Sequence, residues 1–167
     1  MKNFKPLLSC RLFLALVVAT LLASEVAEAQ SAVPFKAAIA ITETIQQIGL
    51  PQCILVGDIS GIGLATRLGK VALDSSDCIN PTDQTFTAFS FFSSHVVLTV
   101  VANGDQIFAT YSGTLTFEGT VGVITGGYQF VGGTGRYLQA SGAGAVQGVE
   151  DLSTGKGNVQ LTGTISY

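Results

Sequence analysis

The chain has 167 residues, of which 47% are hydrophobic and only 11% are charged, so it is long enough to form one domain with its own core. Acidic residues outnumber basic ones by 11 to 8, and the basic residues form no cluster. This balance argues against nucleic acid and against anionic membrane surfaces as partners.

The chain begins with the succession of parts that is typical of a secretory signal peptide. Basic residues precede the uncharged run 12–23, which is too short to span a bilayer comfortably. Residues 27–29 (Ala-Glu-Ala) place small side chains where a signal peptidase reads them. We therefore expect a signal peptide over residues 1–29 and a single domain over 30–167 that is secreted or periplasmic. No later apolar run is long enough to predict a membrane span.

The cysteines agree with export. Cys10 leaves with the predicted signal peptide, and Cys53 and Cys78 remain. In an oxidising compartment an even pair predicts one disulfide. Two free thiols or a catalytic thiol are the alternatives, and a catalytic thiol would need a nearby histidine, for which the chain offers only His95.

Nearly everything after Phe35 alternates between apolar and polar residues with a period of two, which predicts strands with one buried face. Asn103-Gly104 is a two-residue hairpin signal, and 153–157 predicts a second, looser hairpin. No long amphipathic helix is indicated. Eight antiparallel strands can close into a barrel that holds side chains or one small ligand. The segments that we expect to supply about eight strands are Lys36–Gln46, Cys53–Thr66, Leu68–Asp77, Thr85–Phe92, His95–Ala102, Asp105–Phe117, Val121–Val131, Gly142–Glu150 and Asn158–Tyr167.

Residues 56–68 (VGDISGIGLATRL) look like the dinucleotide-binding turn of short-chain dehydrogenases. The context opposes this interpretation, because too few residues follow for a doubly wound sheet and no tyrosine has a lysine four residues later. We expect a strand here and no nucleotide or other cofactor.

Residues 85–92 depart from clean alternation. Phe86 and Phe92 would face one way, and Phe89 and Phe91 the other. Such a segment is typical either of a strand covered by a loop or of a subunit interface, and the sequence favours neither.

Few residues predict chemistry. Tyr111 lies on the apolar face of its segment, and Tyr128 does so if its neighbours face inward, so both hydroxyls could serve as polar handles in a lumen. Glu43, Asp58 and Glu118 lie nearer the interiors of strands, and a carboxyl group turned into an apolar barrel could act as a general acid. The directions of these carboxyl side chains cannot be read from the sequence. Tyr111, Tyr128 and Glu118 are the candidate ligand-binding residues.

The remaining polar residues have simpler interpretations. Asp77 and Glu150 are placed with the other acidic residues at turns, where carboxylates cap or are solvated. His95 is expected at the surface. One histidine and a predicted cystine cannot build a zinc site, so no metal is predicted.

The segment 130–137 (FVGGTGRY), followed by Ala140 and Gly142, resembles a turn of allene oxide cyclases and plant dirigent proteins. The resemblance covers roughly 126–167 and includes a glycine-dotted strand and a last strand that ends in an aromatic residue. It makes Gly132, Gly133, Gly135 and Arg136 structural residues of a turn. It carries over no catalytic residue, because the catalytic residues of those families lie mostly in earlier strands.

The resemblance implies an all-β fold, an eight-stranded antiparallel calycin-like (allene oxide cyclase-like) barrel after the signal peptide, often assembled as a homodimer or homotrimer. It also implies catalysis by confinement and orientation. The leading hypothesis is a barrel that binds a small apolar or amphipathic molecule in its lumen. The alternatives are a cofactor-free isomerase or cyclase on the same barrel, and a non-enzymatic structural or interaction protein with a filled barrel.

Overall fold

The computed structural model describes residues 31–167, with the exception of the side chain of Glu118. The predicted signal peptide lies outside the described residues. Each strand is hydrogen-bonded antiparallel to the next, and the last pairs with the first, so the sheet is a closed eight-stranded barrel, as the sequence predicted. The strands are β1 (Val33–Leu50), β2 (Cys53–Ala65), β3 (Gly69–Pro81), β4 (Ala88–Val100), β5 (Gln106–Glu118), β6 (Val121–Gly133), β7 (Gly142–Asp151) and β8 (Lys156–Ile165).

The barrel forms because alternation along each strand places one apolar set of side chains inside. On β1 the inward set is Phe35, Ala37, Ile39 and Ile41, and the residues that alternate with them are exposed. Since side chains of a strand point alternately to the two faces of a sheet, the other strands also place alternate residues inside, except where a bulge shifts the alternation. The inward residues pack into two clusters. The larger contains Phe35, Ile107 and Phe130, and the smaller contains Ile79, Phe89, Phe91 and Leu115.

One end of the barrel is closed by the connection between β6 and β7. A single 3₁₀ turn, Gly135–Tyr137, places the Tyr137 ring against Tyr167 with 4.8 Å between ring centroids, and Tyr137 is fully buried. Gly135 has φ +54°. The Thr134 N–H donates to the carbonyl of Gln106, and the Gln106 N–H donates to the Thr134 hydroxyl. Gly135 therefore lies in the turn that the sequence predicted. The same prediction is wrong for Gly132 and Gly133, because β6 continues past Val131 and these glycines pair with Phe108 and Ile107 of β5.

The segments 85–92 and 95–102 are not two strands, as the sequence predicted, but parts of the single strand β4. A bulge between Ser93 and Val96 shifts the pairing with both neighbouring strands. An extra residue in one strand moves the following side chains to the opposite face. The inward set is consequently Phe89, Phe91 and Ser93 before the bulge and Val96, Leu98 and Val100 after it.

The hairpin predicted at Asn103-Gly104 joins β4 to β5, but the loop is longer than two residues. It spans 101–105, with Gly104 at φ +78° donating its N–H to the carbonyl of Val100 at 2.8 Å. The predicted disulfide is present: Cys53 and Cys78 are bonded, with 5.3 Å between their Cα atoms. None of the helices among residues 31–167 is long and apolar enough to cross a membrane.

Candidate functional site

The candidate site is a cavity in the middle of the barrel. Its volume is about 70 Å³, and aliphatic and aromatic side chains from all eight strands form most of its wall. Pockets for drug-sized ligands usually span roughly 300–1,000 Å³. An engineered apolar cavity of about 150 Å³ admits benzene. The enclosed volume therefore suits a molecule of a few heavy atoms, or one end of a longer molecule.

Three carboxyl groups and a tyrosine interrupt this apolar wall. Glu43 on β1, Asp77 on β3 and Glu150 on β7 are 9%, 4% and 3% exposed and line the cavity together with Tyr111 on β5. Each occupies an inward position in the burial pattern of its strand. On β1, for example, Glu43 continues the inward series Ile39 and Ile41. Acidic residues are rarely buried to this degree unless they are paired. The arrangement is therefore the most unusual feature of the barrel.

Asp77 is the centre of a small hydrogen-bond network. The Ser75 hydroxyl donates to Asp77 Oδ1 at 2.6 Å, and the Tyr111 hydroxyl donates to Asp77 Oδ2. Burial raises the pKa of Asp77, while the two donated hydrogen bonds act in the opposite direction. Burial and the neighbouring Asp77 carboxylate both raise the pKa of Tyr111, so its hydroxyl stays protonated as a donor.

Glu43 is held in its neutral form. Burial, a hydrogen bond to Glu150 and the negative charges of Glu150 and Asp77, in that order of importance, together raise its pKa from the ordinary value of 4.5 to about 9. A carboxylic acid with this pKa carries its proton at neutral pH. The lumen thus combines one protonated carboxyl group with a carboxylate acceptor at Asp77, which is a pairing that acid–base chemistry uses.

Tyr128 supplies a polar group with no partner. Its side chain is 6% exposed and lines the same cavity, and its hydroxyl oxygen makes no hydrogen bond within the described part of the chain. Burial raises the pKa of Tyr128 to about 12. An unsatisfied buried hydroxyl is costly, and in native structures it calls for a water, an ion or a ligand.

Glycines in the wall make room for these polar side chains. A Cβ at Gly144 or Gly163 would lie 2.7 Å from the Tyr128 hydroxyl, and a Cβ at Gly57 would overlap the Glu43 carboxyl group. Gly144 and Gly163 face each other across β7 and β8. The inward glycines that the sequence shows in β2, β7 and β8 therefore shape the site as well as the curvature of the strands.

Tyr111 and Tyr128, both predicted from the sequence as lumen residues, are cross-strand neighbours inside the barrel. Glu43 faces inward, whereas Asp58 faces outward and accepts a hydrogen bond from the Ser76 hydroxyl at 2.9 Å. Glu118 is the last residue of β5, and its side chain lies outside the described part of the structure. The direction of that carboxyl group therefore stays open.

Asp77 and Glu150 were wrongly assigned to turns. Both lie inside strands, and their positions share the parity of Leu73 and Ile79 on β3 and of Val146 on β7. That parity was the available signal, but a carboxylate next to a strand end is also typical of a turn. The sequence therefore missed two of the three lumen acids.

Arg136 lies outside the lumen, on the turn that closes the barrel. Its guanidinium donates to the Tyr137 hydroxyl and lies 4.8 Å from the centroid of the Tyr137 ring. His95 is exposed, as predicted.

Comparison with protein-family models, with curated proteins and with solved structures gives no match. Residues 31–167 contain no group of three or more His, Cys, Asp or Glu side chains arranged to hold a metal ion. Only the lumen geometry can therefore carry a functional argument.

Proposed function

We propose that this protein binds a small amphipathic molecule in the lumen of its barrel. The supporting observation is the set of buried carboxyl groups, Glu43, Asp77 and Glu150, in an otherwise apolar wall. Replacing buried ionic groups by well-packed apolar residues is often neutral or stabilising. A barrel that served only as a filled scaffold would gain nothing from keeping three such groups, whereas a binding site uses them to orient a ligand.

The enclosed volume restricts the ligand to a few heavy atoms inside the barrel. A longer molecule would place only one end in this cavity, whose wall includes Ile79 and Leu115 of the smaller cluster. The proposed ligand therefore has a compact polar end beside the carboxyl groups and an apolar remainder.

A lumen-blocking substitution tests this proposal. Ala109 is 3% exposed and lines the cavity, so Ala109→Leu is expected to fill it at a cost of about 1–3 kcal/mol. Ala145→Leu, at an exposed outward position of β7, is the matched control. Native mass spectra of protein exposed to a cell extract are expected to show an adduct of small-molecule mass in the wild type and in the control, but not in Ala109→Leu. If the wild type retains no adduct from any extract, the filled structural barrel becomes the better interpretation.

The second candidate function is that of a cofactor-free isomerase or cyclase. It is favoured by the presence in one cavity of a protonated Glu43, with pKa about 9, and of Asp77, which accepts hydrogen bonds from the Ser75 and Tyr111 hydroxyl groups. Glu43 would donate a proton to the substrate and Asp77 would accept one. An isomerisation changes chromatographic retention without changing mass, so extracts incubated with protein can be screened for such pairs. Glu43→Gln would abolish the conversion while retaining the adduct; conversion that persisted in this variant would refute the assigned role.

We also propose that the protein is exported and related to the allene oxide cyclase and dirigent group, with assembly as a homodimer or homotrimer. The Cys53–Cys78 disulfide supports export. Phe92 is 51% exposed on the outer face of β4, while Phe89 and Phe91 are buried, which leaves Phe92 free to contact another subunit. Sedimentation of the wild type and of Phe92→Ser tests the assembly, since loss of the oligomer in the variant alone is expected.

A further inference from the structure

The polar side chains of the lumen offer a ligand far more hydrogen-bond acceptors than donors. The Ser75 and Tyr111 hydroxyl groups both donate to Asp77, and the Ser93 hydroxyl donates to the carbonyl of Ser76 at 2.9 Å. An ionised carboxylate has about four lone-pair positions, and a protonated one keeps acceptor positions beside its O–H group. Apart from the Tyr128 hydroxyl, the hydroxyl donors of the lumen are used within the protein, and acceptor positions on Asp77, Glu43 and Glu150 are left for a ligand.

No basic side chain among residues 31–167 faces these acids. The basic residues and the histidine, which are Lys36, Arg67, Lys70, His95, Arg136 and Lys156, are all exposed. The titratable groups that face the cavity are Glu43 on β1, Asp77 on β3, Tyr111 on β5, Tyr128 on β6 and Glu150 on β7, and the inward residues of β2 and β8 there are apolar residues or glycines. The field inside the lumen is therefore negative and uncompensated by the protein.

Tyr128 is an independent sign that a ligand belongs in this cavity. Its hydroxyl is buried, has no hydrogen-bond partner among residues 31–167 as described, and lies over Gly144 and Gly163 on the β7–β8 side of the barrel. The hydroxyl of Tyr111 instead donates to Asp77 on β3. The polar group that it would meet is separate from the Asp77 network. A ligand with one group at the carboxyls and a second at Tyr128 would satisfy both.

We propose that the lumen selects a small organic cation, a protonated amine whose N–H groups donate to Glu43, Asp77 and Glu150 while its apolar body contacts the wall and a second polar group reaches Tyr128. This inference rests on the proposed lumen binding and specifies its ligand class. Charge-assisted hydrogen bonds are stronger than neutral ones, and a cation compensates buried negative charge that otherwise destabilises the barrel.

The test uses probes of matched shape: butylamine, 1-butanol and butyrate, with binding measured by titration of amide chemical shifts at pH 7.5. We expect butylamine to bind roughly tenfold or more tightly than 1-butanol, which is the effect of one charge-assisted hydrogen bond, and butyrate not to bind. Burial raises the pKa of Asp77, so lowering the pH stepwise from 7.5 is expected to protonate this carboxylate and to weaken the binding of the amine alone. Tyr128→Phe is expected to remove any advantage of 4-amino-1-butanol over butylamine.

Charge-neutralising variants show which carboxyl groups cause the preference for the amine. Asp77→Asn and Glu150→Gln are expected to reduce the preference for the amine over the alcohol, and Asp58→Asn, whose carboxyl group faces outward, is expected to leave it unchanged. If one variant fails to fold, the other variant and the pH comparison on the wild type carry the test. Binding of 1-butanol or butyrate as tightly as butylamine would overturn the cation preference and leave lumen binding intact. Absence of binding by every probe would overturn both.

Discussion

The neutral state of Glu43 predicts how the stability of the barrel depends on pH. Its pKa is close to 4.5 in the unfolded chain and about 9 in the folded protein, so between these values the folded protein holds a proton that the unfolded chain has released. The contribution of Glu43 to the free energy of unfolding is therefore fully present below pH 4.5 and falls as the pH rises toward 9. One such proton corresponds to a slope of about 1.4 kcal/mol per pH unit, or about 6 kcal/mol over the whole interval.

The substitution Glu43→Gln keeps the shape of the side chain and removes its titration. Urea unfolding between pH 5.5 and 8 is expected to give a wild-type free energy that falls with pH, to which the raised pKa of Asp77 contributes in the same direction at the acidic end. In Glu43→Gln the slope is expected to be shallower by about 1.4 kcal/mol per pH unit. Asp58→Asn, which removes an outward carboxylate, is the control and should run parallel to the wild type. Equal slopes for Glu43→Gln and wild type would refute the assignment of a neutral, buried Glu43.

Two further predictions concern the Cys53–Cys78 disulfide and a glycine in the wall of the barrel. Replacing Cys53 and Cys78 by serine opens a loop with a sequence separation of 25 residues and is expected to lower the free energy of unfolding by about 3 kcal/mol. Dithiothreitol should have the same effect on the wild type and none on the variant. An unchanged urea midpoint in the variant would contradict this stabilising role of the disulfide. Gly57→Ala places a Cβ against the Glu43 carboxyl group, so a loss of about 1–3 kcal/mol in the free energy of unfolding is expected. In the control Gly127→Ala the new Cβ meets nothing closer than 3.4 Å, so the loss should be smaller. Thermal unfolding compares the two variants, and equal losses would show that Gly57 is not needed to accommodate Glu43.

The barrel itself could be predicted from the sequence because the apolar–polar alternation that specifies each strand is local to that strand. The inward set of β5, from Ile107 to Phe117, follows directly from alternation, and so does the inward direction of Tyr111. The bulge in β4 was harder to predict, because Ser93, Ser94 and His95 interrupt the pattern in the same way as a loop would. Two short segments were therefore predicted where the chain forms one continuous strand.

By itself the sequence determined the fold class, the pairing of the cysteines, and the sides of the strands on which the two lumen tyrosines lie. These follow from composition, periodicity and the even number of thiols in the predicted domain, which depend only on neighbours along the chain. Closure of the barrel decided the rest. Glu43, Asp77 and Glu150 lie on strands that are far apart in the sequence, and only the register of the closed sheet brings their carboxyl groups to one cavity. The shifted pKa values and the unpartnered Tyr128 hydroxyl arise from that shared burial, which no single strand carries.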